Sequence, residues 1–79
     1  MSDKIKQDIS IGINLKRLRK NAKMSQGAVA AKLELMGLST SREIISQMEL
    51  GRYSIRVSVL LALKQIYNVA SFDEFFRDL

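Results

Sequence analysis

The stretch STSREIISQMELGR, residues 39–52, sets hydroxyl-bearing residues before a short helical pattern and a glycine behind it. Thr40 stands three residues ahead of Glu43, the spacing of a capping box, and Ser41 can cap equally well, so either opens a helix. Ile45 and Met48, three apart, supply its buried side. Gly51 supplies the stop. Arg42, Glu43, Ser46 and Gln47 are left to the remaining faces, far more hydrogen-bonding capacity than a helix needs merely to pack.

Helical periodicity continues on both sides of this stretch. Ile11, Leu15, Leu18 and Ala22 recur at steps of four and three and predict a first helix from about Ile9 to Asn21. Ser25 caps a second helix with Val29, Ala30 and Leu33 inward, although Ala28 stands where a capping box has glutamate. Gly37, followed by apolar Leu38, predicts a Schellman stop near Met36. Ser54 or Arg56 opens a fourth helix with Val57, Leu60, Leu61 and Lys64 on one side and Leu63, Ile66 and Tyr67 widening the apolar face. Asn68 ends it, and the capping box SFDE, Ser71 to Glu74, leads a fifth helix toward Phe75, Phe76 and Leu79. The expectation is an all-α bundle of five short helices forming one domain over residues 1–79, with residues 1–8 a flexible arm. No alternating strand pattern, repeat or flexible linker interrupts it, and proline is absent.

Composition narrows the chemistry. The 79 residues suit one small core with little room for a deep catalytic cavity. With no cysteine or histidine, neither a disulfide framework nor the usual zinc and iron ligand sets is available, so no metal and no cofactor is expected. Thirteen Lys and Arg against eight Asp and Glu give a formal charge of +5. Lys16, Arg17, Arg19, Lys20 and Lys23 concentrate the excess in the acid-free KRLRKNAK, which attracts polyanions or simply forms a solvated helix face. The start, MSDKIKQDIS, has no long apolar core, and no apolar run is long enough to span a bilayer; a cytoplasmic protein is expected.

The second and third helices read as a pair. Small Ala30 permits a close crossing, a glycine-containing turn follows, and the next helix is polar opposite Ile45 and Met48, which is the logic of a helix-turn-helix. Arg and Gln are the residue types whose geometry suits guanine and adenine edges. With LKRLRK (Leu15 to Lys20), MSQ (Met24 to Gln26), SREIISQMELGR (Ser41 to Arg52) and LLALKQIYNV ending at Val69, the chain resembles the phage repressor and Cro-type, or xenobiotic-response-element-like, helix-turn-helix family from about Ile11 to Phe76.

The resemblance implies a lambda-repressor-like five-helix bundle whose third helix lies in the major groove of double-stranded DNA. It implies that Arg42, Glu43, Ser46 and Gln47 face base edges and that Gln26, Ser41 and Arg52 lie near backbone phosphates. Arg19 and Glu49 match a paired arginine and glutamate of some family members, and both stand at the core's margin. The chain departs from the family pattern in a longer connection, ELMGLST, between Leu33 and Ser41. Ile44 replaces a small polar residue and is either buried or set against a thymine methyl. Leu50 replaces an asparagine, and Ile55 lies near a missing proline.

A regulator of transcription is expected, a repressor acting by occupying a palindromic operator as a homodimer. Tyr67, Phe72, Phe75 and Phe76 are the candidate dimer surface. The rival is a protein-interaction module of the same fold, such as an antitoxin or anti-repressor. An enzyme is not expected, because no histidine or cysteine serves as base or nucleophile and no glycine-rich phosphate loop occurs. A membrane-surface helix is not expected either, since Leu15 and Leu18 are committed to packing.

Overall fold

The computed structural model describes residues 4, 5, 7 and 9–79. In chain order the elements are β1 (Lys4–Ile5), α1 (Gly12–Asn21), α2 (Gln26–Leu35), α3 (Arg42–Glu49), β2 (Ile55–Arg56), α4 (Val57–Ile66) and a 3-10 helix, Phe72–Phe76. Four α-helices are therefore present among the described residues rather than five. The Ser71 hydroxyl does accept from the Asp73 amide, but Glu74, which would close the capping box, is drawn instead to Arg17 and Arg77. The last element tightens into a 3-10 turn.

Local chemistry accounts for the helix boundaries. Ser25 and Ser41 accept hydrogen bonds from Ala28 and Ile44, so Ser41, not Thr40, begins α3. The first helix opens at Gly12, later than its periodicity predicts, because the Ser10 hydroxyl accepts from the Gly12 amide and the Gln7 side-chain oxygen Oε1 from that of Ile11. All four helices end in the same two-bond Schellman pattern, with Lys23, Gly37, Gly51 and Asn68 at positive φ. Past Gly37 the chain runs through Leu38–Ser41 to α3, so the longer connection lengthens the turn and not α2.

Ile11, Leu15, Leu18, Val29, Leu33, Ile45, Met48, Val59, Leu60, Leu63 and Phe75 meet in one core. A Cβ on Gly12 would collide with the Glu49 carbonyl, so glycine lets the start of α1 abut the end of α3. On α4 the buried side is Val59, Leu60, Ala62 and Leu63, whereas Val57 and Leu61, expected inward, are exposed. This helix is apolar nearly all round, and periodicity cannot choose its inner face.

No strand was expected, yet β1 and β2 pair antiparallel, Lys4 opposite Arg56 and Ile5 opposite Ile55. Ile55 is buried, so the residue near the missing proline serves as a core anchor in a paired segment, where proline is disfavoured. Of the arm expected over residues 1–8, residues 1–3, 6 and 8 lie outside the described residues. The Gln7 amide donates to the Met48 and Tyr53 carbonyls at 3.2 and 2.7 Å, tying this segment to the end of α3. Among the described residues no helix is long and apolar enough to cross a membrane.

Candidate nucleic-acid interface

α2 and α3 pack against each other, and α3 lies also against α1. Ile45 and Met48 fix its inner side in the core, and Ile44 is partly buried against it. Arg42, Glu43 and Gln47 are exposed and Ser46 is half-buried. Arg42, Glu43, Ser46 and Gln47 share a groove of about 350 Å³ with Gln26 of α2, so five of the expected contact residues come together on one face.

A second, wider concavity adjoins it through Gln26 and Arg42. Lys16, Arg19 and Lys20 of α1 line it with Ser25, Gln26 and Gly27 at the start of α2, about 510 Å³ in all. The first turn of α2 contains no acid. Its outward N–H groups and helix dipole add to the field of Lys16, Lys20 and Arg42, so this end attracts anions. Neither Lys16 nor Lys20 was singled out as a contact from sequence, although their place off the Leu15 and Leu18 face was the signal.

Gln26 has a partner inside the protein: its Nε2 donates to Glu49 Oε1 at 3.1 Å. The amide keeps a second N–H for an outside acceptor. Ser41 is occupied as the cap of α3. Arg52 is exposed just past Gly51 and lines neither groove.

Arg19 and Glu49 form a buried two-point ion pair, Nε to Oε2 at 2.7 Å and Nη2 to Oε1 at 3.1 Å. The hydrogen bond to Glu49 raises the Arg19 pKa above its ordinary value, against the opposing effect of burial. The guanidinium stays charged. Since Gln26 bonds the same carboxylate, Glu49 joins α1, α2 and α3 at the back of the face that carries Arg42 and Gln47.

The aromatic segment is less exposed than its composition suggests. Tyr67 and Phe75 are core residues at 6% and 0% exposure, which removes them as dimer surface. Asn14, itself buried, draws the segment inward by donating to the Phe75 and Arg77 carbonyls at 3.0 and 2.8 Å. Phe72 is half-buried, its ring 6.1 Å from that of Phe75. Phe76, 46% exposed, remains at the surface with Leu79.

A polar-faced helix seated beside a second helix whose start attracts anions defines a DNA-binding helix-turn-helix. The chain belongs to that family: the family model described as "Helix-turn-helix domain" matches residues 10–74. No curated protein and no solved structure matches the chain significantly.

Proposed function

We propose that this chain is a sequence-specific transcriptional regulator of the Cro and phage-repressor kind, binding double-stranded DNA as a homodimer and repressing by operator occupancy. α3 enters the major groove, where Arg42 hydrogen-bonds a guanine edge and Gln47 an adenine edge. Ser46 and Glu43 approach neighbouring bases, with cytosine N4 the natural donor to the carboxylate. Lys16, Lys20, Gln26 and the first amides of α2 hold one phosphate run, while Arg52 and the Ser41 hydroxyl face the backbone at either end of α3. The observation that carries this reading is the shared groove of Gln26, Arg42, Glu43, Ser46 and Gln47 beside the cationic mouth of α2.

Selection from random duplex DNA at two salt concentrations tests it. A palindromic motif should be enriched, with affinity falling as salt rises. Arg42→Ala should cost about 1–3 kcal/mol and relax the preference at particular base pairs, whereas Lys20→Ala should weaken all sequences alike and flatten the salt slope. Salt-sensitive binding without a motif would reduce the site to a basic surface. No binding at all would leave the interaction-module reading.

A further inference from the structure

At the far end of α2 from its anion-attracting start, Lys32, Leu35 and Met36 face Gln65 and Ile66 of α4 across an open groove of about 330 Å³. Leu35 is 88% exposed, more than any other large apolar residue described, and Met36 is 45% exposed. Neither is needed to seat this end of α2, because Leu33 is fully buried and Leu38, behind the Gly37 stop, packs back against the core. The apolar surface continues along α4, where Leu61 and Val57 stand one and two turns ahead of Gln65 and are both exposed. Apolar side chains grouped in this way, unlike single ones, mark an interaction surface.

Charge selects the occupant. Lys32 is the only charged residue lining the groove among those described, and it has no ion pair there. The carbonyls at the two helix ends are taken up by the stops: Lys32, Leu33 and Glu34 accept from the Met36, Leu38 and Gly37 amides, and Gln65 and Lys64 from those of Asn68 and Val69. The formal charge of the groove is therefore positive, on a chain of net charge +5. A second copy would set like charge against like, whereas an acidic partner is attracted. An open groove cannot enclose a small molecule as ligand sites do, but a groove between two helices suits the apolar face of a third, and the flexible Met36 side chain adapts to it.

We infer that this groove docks an acidic amphipathic helix of another protein, its apolar side chains set against Leu35, Met36 and Ile66 and a carboxylate on Lys32. Leu35 lies about 14 Å along α2 from Gln26. The groove thus stays open while the start of α2 faces DNA, and the partner is held on the DNA-bound chain; this link rests on the DNA-binding reading above.

Titration of the full chain with a synthetic peptide of about 18 residues, leucines at helical spacing on one face and glutamates on the other, tests the groove through backbone amide NMR signals. The Leu35, Met36, Gln65 and Ile66 amides should shift saturably, with Kd below about 1 mM. The same peptide with serine for leucine, or with lysine for glutamate, should bind about tenfold more weakly or worse. Leu35→Ser should lose about tenfold in affinity, and Lys32→Glu should reverse the preference between the glutamate and lysine peptides. Both residues are exposed, and well-dispersed amide spectra establish that each variant is folded. Shifts centred on Lys16, Lys20 and Arg42 instead, control peptides binding as well, indifference to Leu35→Ser or to Lys32→Glu, or no shifts at all would each overturn the site. Sedimentation equilibrium in which Leu35→Ser abolishes self-association would assign the groove to a second copy and overturn the acidic partner. A duplex carrying the selected motif should leave peptide affinity unchanged within about twofold. Mutual exclusion of peptide and duplex would overturn the link to the DNA-bound chain and spare the groove. If the chain bound no DNA, the regulator reading would fail and the peptide titration would still decide the groove.

Discussion

The Arg19 guanidinium grips the Glu49 carboxylate at two points, 2.7 and 3.1 Å, with less than a tenth of either residue exposed. A third guanidinium contact, Nη1 to the Met24 carbonyl at 2.8 Å, fixes the turn between α1 and α2. The charges are therefore compensated by hydrogen bonds and by each other, the condition under which a buried pair is tolerated. Removing one partner leaves the other charged and desolvated.

Glu49→Ala should accordingly cost about 3–5 kcal/mol in urea unfolding, and Arg19→Ala a similar amount. Joint replacement by Arg19→Met and Glu49→Leu should cost far less than the sum of the single changes, because no orphaned charge remains. The coupling should persist at high salt, since burial shields the pair from screening. Additive single and double effects would show two independent charges instead.

This pair was legible in sequence through the resemblance, which matches it to a paired arginine and glutamate of some family members, and the place of each residue directly after a core residue, Leu18 and Met48, let the two meet at the core's margin. Caps and stops were legible for the same local reason: Ser25, Ser41, Gly37, Gly51 and Asn68 act on backbone groups within a few residues. What escaped depends on distant partners. The bond of Asn14 to Phe75 and that of Gln7 to Met48 span 61 and 41 residues, and no local pattern announces either. The β1–β2 pairing escaped because two-residue strands are too short to alternate. The aromatic cluster misled because composition counts rings but does not say which way they turn. Phe75 goes inward and Phe76 outward from adjacent positions.

Gln7 gives a pH-dependent test of the N-terminal tether. Gln7→Ala removes two donors to the Met48 and Tyr53 carbonyls and the acceptor of the Ile11 amide, and should cost about 1 kcal/mol, since part of the site is solvated. Gln7→Glu should behave differently. Its ionised carboxylate cannot donate to the two carbonyls, which favour the neutral acid and raise its folded pKa above the usual value of about 4.3. The stability it contributes is present below the unfolded pKa and is lost as pH rises through the folded one, so this variant should recover toward wild type as pH falls from 7 to about 4. Chemical denaturation across that range should show the gap to wild type closing. A constant gap would mean that Gln7 does not donate to these carbonyls.

Tyr67 offers the opposite end of the pH scale. Its hydroxyl is buried with no hydrogen-bond partner among the described residues, and burial, with Glu49 nearby, raises its pKa well above the ordinary value of 10.0. A raised folded pKa means that stability is intact below the unfolded value and is lost as pH climbs beyond about 10, where the unfolded chain releases the proton first. Tyr67→Phe should flatten that alkaline loss. Near neutral pH it should leave stability unchanged or raise it by about 1 kcal/mol, because an unsatisfied hydroxyl is removed while the ring is kept. A markedly destabilised Phe variant at pH 7 would show that the hydroxyl has a structural partner.

Homodimer formation, proposed above from the needs of a palindromic site, must use residues that the core leaves free. Two recognition helices have to sit about 34 Å apart to meet successive major grooves. Phe76 and Leu79, 46% and 61% exposed, lie at the surface of the segment that follows α4, whereas Phe75 is spent on the core. Phe76→Ser with Leu79→Ser should therefore weaken self-association by about tenfold, the loss expected from exposing roughly one half-buried aromatic contact. Thermal stability of the dilute protein should hardly change. Phe75→Ala should do the reverse, destabilising the fold by about 3–5 kcal/mol through the cavity it leaves. Sedimentation equilibrium together with thermal melts of both variants separates the two roles. If the surface double variant associates as tightly as wild type and binds a palindromic duplex with equal cooperativity, the dimer is made elsewhere on the molecule.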